Sequence, residues 1–363
     1  MSNLMAITPI NGMVEIMSFT LTGSSISGLV STSGAPVVIN WGDGTTTRYS
    51  GANQNTSHTY AGSDTYTVKI LSTKRTALTR FDNYTGNINL SVSVLPASLT
   101  VFYVASANTI SGALSNLPAS LGTLVVKGSN TISGALSDLP STVTYLEVYG
   151  SNTISGDLSD VSDNNFTHFA LGGSNTITGD IAHLAATINS YIVIYGSNTV
   201  YGDVNDIAGS PTYISITGSN TISGNIMNLP AGCHGIDLLG ANTLTGNIED
   251  IPASYTSVQL QGSNTVTGDV GLTTANYAQL YMLGAGGPTA YTSRAWANGV
   301  GTIYLSGSLT TAEVDQLLID LSAVTFAGDK LINLANGTNG PRSAASAAAV
   351  TSLQAQGVTV TTF

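Results

Sequence analysis

Cysteine is almost absent: Cys233 stands alone among 363 residues. The chain therefore has no internal disulfide and no means of building a metal cluster from thiolates. Charge is scarce as well. Only 8% of residues are charged, and 9 basic against 20 acidic side chains leave a formal net charge of −11. A nucleic-acid partner would need a basic stripe against its phosphates, and none is supplied. No apolar run approaches the length of a membrane span. Convergent titratable groups are also missing. Of the four histidines, His58 belongs to an N-terminal motif, while His168, His183 and His234 fall at different places in a repeat. Cys233 adjoins His234, but adjacent residues point apart. There is no P-loop, dinucleotide fingerprint or H-E-x-x-H motif, so catalysis and resident cofactors are not expected.

What is present is repetition. The fragments KGSNTISGALSDLP, YGSNTISGDLSDV, TGSNTISGNIMNLP and QGSNTVTGDV are variants of one unit. Aligned on the Asn of each NT pair, the positions are Asn108, Asn130, Asn152, Asn175, Asn198, Asn220, Asn242 and Asn264, spaced by 22 or 23 residues. So strict a period signals stacked units rather than a single globular core. Four and six residues before the Asn stand apolar pairs such as Leu124 and Val126, or Ile214 and Ile216. Their alternation predicts a short strand with one buried face. Further apolar columns follow at two, six and nine residues after it, as in Ile154, Leu158 and Val161. A glycine four residues after each Asn marks tight backbone. The Asn column is expected inward, its amides satisfying backbone groups left unpaired where the chain bends.

The segments outside the array differ in kind. Residues 1–76 alternate apolar and polar side chains around Gly and Asp turns, in VVINWGDGTTTRYS and then SHTYAGSDTYTVKIL, the pattern of antiparallel strands. Residues 77–300 hold the array, beginning with a degenerate coil, TALTRFDNYTGNINLSVSVLP. Residues 301–363 predict a strand-helix-strand-helix-strand cap. Its first helix opens on a capping box from Thr310 to Glu313. Its second is expected to have Pro341 near the first turn and Gly357 as its stop.

Two resemblances arise from these motifs. Trp41, Gly42, Asp43 and Gly44, then His58, Thr59 and Tyr60, then Tyr66, Val68 and Ile70 resemble a PKD-type, immunoglobulin-like β-sandwich. LEVYGSNTISGDLSDV resembles a leucine-rich repeat, with one extra residue between strand and Asn, over roughly residues 78–285. Together they imply a mainly β chain: a small N-terminal sandwich, a parallel-sheet solenoid of 22-residue coils, and an α/β C-terminal cap. A sandwich joined to such coils is similar to adhesive surface proteins of gut bacteria and their phages.

Two side-chain patterns are candidates for function. On the solvent side of the strands the columns place Tyr103, Tyr145, Glu147, Tyr149, Tyr191, Val193, Tyr195 and Tyr213. Tyrosine offers a flat apolar ring with a polar tip, suited to a sugar or a protein. Tyr149 and Tyr195, two coils apart, are expected to be exposed and to carry much of the binding. Carboxylates also recur, at Asp138, Asp160, Asp206 and Asp250 in one column and Asp157, Asp180, Asp203 and Asp269 in another. Turn capping is the favoured reading of both columns, with calcium as the alternative, and no metal site is assigned.

The hydroxyl-rich, weakly charged surface suits extracellular and virion proteins. MSNLMAITPINGMVEIM is a poor secretory signal, lacking a basic segment before an unbroken apolar core. Met1 favours exit on a virion by lysis over removal of a signal. The resemblance therefore implies a non-enzymatic phage surface protein: a fibre, tail or head-decoration component. Its partners would be a host-surface glycan or protein, or other virion proteins, and as a fibre it would be a trimer. A secreted bacterial adhesin is the alternative, and a polysaccharide depolymerase a third reading.

Overall fold

The computed structural model describes residues 12–363 apart from 185, 208 and 285, with backbone alone at 106 and 107. The stretch read for an export signal thus lies largely outside the described residues. The chain is mainly β, and it packs as two compact units, Met1–Thr176 and Ile177–Phe363.

The first unit opens with antiparallel structure. Strand β1 (Val14–Thr32) turns Met17, Phe19 and Leu21 inward at every second position, breaks at Gly23, and resumes with Ile26 and Val30 buried. Its first half pairs with β5 (Thr65–Ser72) and its second half with β4 (Gln54–Thr59). The short strands β2 (Val37–Asn40) and β3 (Thr46–Tyr49) form a hairpin, and β2 continues onto β5. Trp41 is buried at the hairpin tip. Its indole N–H donates to Thr47 Oγ1 at 2.9 Å, and its carbonyl accepts the Tyr60 hydroxyl at 3.0 Å.

Strand β6 (Leu78–Ser91) joins the two styles of structure in this unit, antiparallel to β1 and parallel to β7 (Val101–Ala113). Parallel pairing then advances one coil at a time through β8 (Thr123–Gly128), β10 (Tyr145–Val148) and β12 (His168–Asp180). A second ladder runs from β7 through β9 (Thr131–Ala135) to β11 (Thr153–Asp157). Within one coil Leu124, Val126, Ile132, Leu136, Leu139 and Val143 are all buried. Each contributes about 1.5–3 kcal/mol relative to exposure.

A change of register explains the Asn column. Leu124 pairs with Leu146, 22 residues on, whereas Ser111 in the second ladder pairs with Thr131, 20 residues on. The slip occurs at glycines two residues before the Asn, such as Gly128 and Gly150, which hold φ near +110° and +136°. It leaves backbone groups without ladder partners, and the Asn amide supplies them. Asn130 Oδ1 accepts the Ile110 N–H of the preceding coil at 3.0 Å, while its Nδ2 donates to the Tyr149 carbonyl of the following one at 2.9 Å. One side chain so staples three coils. Asn83, 25 residues before Asn108 and off the period, is also buried and donates to Asn108 Oδ1 at 3.1 Å.

The second unit repeats the plan. Strands β13 (Tyr191–Asp203), β14 (Tyr213–Asn225) and β15 (Gly235–Asn247) each run through the glycine corner as a single bent strand. They are longer than the short strand expected from the apolar pairs. The parallel ladder goes on through β16 (Ser257–Gly262), β18 (Gln279–Gly284) and β19 (Val300–Gly307), with β17 (Thr265–Thr267) beside β15. Asn198, Asn220 and Asn242 bridge coils as Asn130 does.

The cap alternates as expected: after β19 come α1 (Thr311–Ser322), β20 (Phe326–Gly337), α2 (Ala347–Ala355) and β21 (Thr359–Thr361), the strands continuing the parallel ladder. Thr310 and Glu313 close the capping box on α1. Pro341 is not in the first turn of the second helix, which begins at Ala347. The reason is the buried carboxylate of Asp315 on α1. It accepts the Ser343 N–H at 2.9 Å and both the Ser343 and Ser346 hydroxyls, holding the approach to α2 as a separate turn. Gly357 ends the helix with φ +81°. Asn339 reproduces the staple off the repeat, accepting from Leu309 N and donating to the Leu305 and Leu334 carbonyls.

Candidate functional site

Three features carry side chains of possible use: a ring cluster near the N-terminus, the outer strand face of each unit, and a cleft where the second unit meets its cap.

In the cluster, the imidazole of His58 stacks on Trp41 with centroids 4.8 Å apart and abuts Tyr60, which stacks on Tyr66. His58 Nε2 lies 2.7 Å from Asp43 Oδ2. The other carboxylate oxygen accepts the Thr45 amide at 3.0 Å and the Thr45 hydroxyl at 2.6 Å. Burial works to raise the Asp43 carboxyl, but the Thr45 bonds and His58 outweigh it and hold the group down to about 2. Asp43 is therefore engaged as a turn former.

On the outer face of the first unit, Tyr103, Tyr145, Glu147 and Tyr149 are half-buried rather than freely exposed. Tyr145 stacks on His168 at 4.2 Å, and Tyr103 meets Tyr84 edge-on. Lys127 pairs with Glu147 at 2.9 Å. Tyr149 lies against Gly172 of the next coil, where an added Cβ would stand 2.3 Å from the ring.

In the second unit Tyr191 is 44% exposed and Tyr213 is half-buried, their rings 6.2 Å apart. Burial, then the nearby Asp237 and Tyr195, push the Tyr213 phenol up to about 12. Tyr195 is half-buried, not solvent-exposed as expected. Val193, counted among the outward positions, is only 5% exposed. It sits between Tyr191 and Tyr195 on its own strand and opposite the buried Ser215 on the next. On these two strands the middle positions, Val193 and Ser215, are covered by their bulkier neighbours. Tyr149 and Tyr195 belong to different compact units.

The cleft lies farther along the second unit. Gln259, Gln279, Tyr281 and Thr302 line it from β16, β18 and β19, and Asp329, Leu331 and Thr359 from the cap, around a cavity of about 390 Å³. Tyr281 stacks obliquely on Tyr304 at 4.5 Å. None of these residues was singled out from the sequence. Gln259 and Tyr281 nevertheless continue the outward column of Tyr103 and Glu147, and extending that column past Asn264 would have reached them.

Six of the eight aspartates in the acidic columns cap turns. Asp157 Oδ1 accepts the Ser159 amide at 2.9 Å, and Asp160 accepts the Asp157 amide at 3.1 Å. Asp180 and Asp203 make the same first bond in the second unit. Asp269 accepts the Gly271 and Thr292 amides. Among the described residues, no group of three or more His, Cys, Asp or Glu side chains is placed to hold a metal ion. Cys233 is buried with its thiol against the Gly235 carbonyl, and burial pushes that thiol up; His234 bonds instead to the Ser254 carbonyl. Among the described residues, no helix is long and apolar enough to cross a membrane.

No protein-family model matches the chain, and no curated protein matches it. Among solved structures it is similar to a plant ice-binding protein, at 18% identity and a TM-score of 0.40, over 64% of this chain and 76% of that one. It is also similar to a plant peptide hormone receptor, RGFR1 in complex with RGF2, at 16% identity and a TM-score of 0.40, over 70% of this chain. The match spans 45% of the receptor chain. Both overlays are loose.

Proposed function

We propose that the chain is a non-enzymatic recognition protein of a phage virion surface, whose outer strand face attaches to a host-surface glycan or protein. In this reading the strands before residue 77 are a PKD-type sandwich, the 22-residue coils are a leucine-rich-like solenoid, and residues 301–363 close it. The observation that carries it is the outer face of the second unit. There Tyr191 and Tyr213, and then Tyr281 and Tyr304, pair across coils on a face with few charges. Paired rings beside amides and hydroxyls suit a sugar or a polar loop. A parallel ladder beneath them fixes the spacing at which the rings are presented, which lowers the ordering cost of binding.

Immunoelectron microscopy of purified virions tests the location, and binding of the labelled chain to intact host cells tests the function. Labelled virions and saturable binding, weakened about tenfold or more by Tyr191→Ala with Tyr213→Ala, are expected. A chain absent from virions overturns the location. Clear depolymerisation of host polysaccharide overturns the non-enzymatic reading.

A further inference from the structure

We infer that the cleft between β16 and the cap strands is a binding site for a neutral oligosaccharide, a deepening that rests on the recognition function proposed above. The floor is built by register. Gln279 stands opposite Ser257 on one side and Thr302 on the other, and Tyr281 opposite Gln259 and Tyr304. Thr302 then faces Leu331, and Leu331 faces Thr359. The site so crosses five adjacent parallel strands, about 19 Å at the usual strand spacing.

The wall is built by a break in that register. Val300 pairs with Phe326 and Thr302 with Leu331, so β20 spends five residues where β19 spends two. The segment between those pairs, 327–330, stands against residue 301 alone; it bulges and brings Asp329 to the cleft. Gly328 holds φ +65° and Lys330 φ +52°, and Lys330 is one of two non-glycine residues with positive φ among those described. Such a conformation costs on the order of 1 kcal/mol. Lys330 Nζ is anchored away on the Gln356 carbonyl at 3.0 Å. Bulges of this kind re-aim side chains beside functional sites.

The Gln279 amide is oriented but its donors are unused. Gln279 Oε1 accepts from Ser257 Oγ at 3.2 Å and from Gln259 Nε2 at 3.3 Å. That fixes the amide and leaves its two N–H donors without an acceptor among the described residues. The Asp329 carboxylate and the Tyr281 hydroxyl also make no side-chain hydrogen bond among the described residues. A carboxylate and an amide aimed into one cleft match the vicinal hydroxyls of a sugar, and the adjacent ring matches the apolar face of a pyranose. Among the described residues, no basic side chain lines the cavity, which disfavours phosphates and acidic sugars. The floor strands β16, β18, β19 and β20 are paired on both sides, so an extended peptide could add only along β21, at the rim, whose one strand partner among the described residues is β20. The volume lies at the lower end of the ~300–1,000 Å³ typical of small-ligand sites.

Titration of the full-length chain with gluco-, galacto- and manno-configured neutral tetrasaccharides, followed by calorimetry, tests this. Binding of at least one is expected. Gln279→Glu and Asp329→Asn, which keep side-chain size, should each weaken it about tenfold or more with Tm unchanged. Met227→Ala, on a turn away from the strand face, should leave it intact. Binding that survives both cleft variants but is lost in Tyr191→Ala with Tyr213→Ala overturns the cleft and leaves the proposed recognition face standing. Host-cell attachment without binding of any tetrasaccharide overturns the ligand class alone. Salt-sensitive binding of an oligolysine peptide that Asp329→Asn abolishes overturns it too. Tetrasaccharide binding at the cleft by a chain that never attaches to host cells supports this inference while removing the wider one.

Discussion

The ring of Tyr213 lies across the backbone of Gly235 in the next coil, so close that a Cβ on the glycine would stand 2.5 Å from Tyr213 Cδ2. The two residues are direct partners in the parallel ladder. Glycine here is required by the ring above it, not by its own dihedral angles. Gly235→Ala should cost about 1–2 kcal/mol through overpacking and turn the ring outward. The phenol would then titrate below the value of about 12 that burial imposes. Ultraviolet titration with Tyr213→Phe as the subtraction blank reads this directly. An unmoved titration means the ring stays where it is.

The Asn staples give a sharper test, because a truncation and an isosteric change separate their roles. Asn198 accepts from Ile177 N at 2.8 Å and donates to Thr217 O at 3.3 Å. Asn198→Ala leaves the buried Ile177 N–H and the part-buried Thr217 carbonyl without the amide, a loss of about 2–3 kcal/mol. Asn198→Asp keeps the acceptor, loses the donor and buries a charge, so it should destabilise at least as much at pH 7. Denaturant midpoints of the two variants decide. An aspartate variant as stable as wild type would mean that the carbonyl bond contributes nothing.

Those staples also mark how far the sequence could be read. The Asn, Gly and apolar columns were legible because each coil meets the same steric problem at the same register slip. Asn83 and Asn339 meet it off the period, with no NT pair to announce them. The start of α2 was misread because Asp315, 28 residues upstream of Ser343, takes the hydroxyls that a local reading leaves free for capping. The cleft was hidden for a similar reason. Asp329 reaches it only through the bulge in β20, and a mismatch of five residues against two has no signature in composition. Outwardness of the tyrosine columns was legible; their half-burial depends on which neighbour lies across the ladder.

Chelation should do nothing to stability. Asp157, Asp180, Asp203 and Asp269 already accept backbone amides two residues on. With EDTA the melting temperature should stay within about 1 °C, whereas a bound ion with affinity for the native state alone would shift it by several degrees. A drop that calcium restores would overturn the capping assignment.

Asp43 offers a pH dependence of known sign. Its folded carboxyl is held at about 2, below the ordinary 3.8. The stabilisation is therefore fully present above the ordinary carboxylate range and is lost as pH falls through about 2. Asp43→Asn should lower stability at pH 7 by about 1 kcal/mol, reduced from the full charged-bond value because the carboxylate stays partly open to solvent. The gap should narrow below pH 4 and close near pH 2. A gap that is constant with pH would assign the loss to turn geometry instead of charge.

Asp237 should behave in the opposite sense. It stands on the outer face of β15, between Ser215 and Gln259. Its Oδ2 accepts the Ser215 hydroxyl at 3.1 Å, while Oδ1 is buried and has no partner among the described residues. Burial pushes its carboxyl above the ordinary carboxylate range, and the single serine bond only partly offsets that. A raised carboxyl means that ionisation opposes folding: the favourable contribution is complete below the ordinary carboxylate pKa and is lost as pH rises through the folded one. Asp237→Asn removes the charge and keeps an acceptor for Ser215. It should raise the melting temperature at pH 7 by about 2 °C, and the advantage should vanish by about pH 3, where the wild-type carboxyl is protonated. Asp237→Ala separates charge from packing, since it relieves the charge but leaves the Ser215 hydroxyl without its acceptor. It should fall below Asp237→Asn at every pH. An asparagine variant less stable than wild type at pH 7 would show that the ionised carboxylate is wanted by the fold.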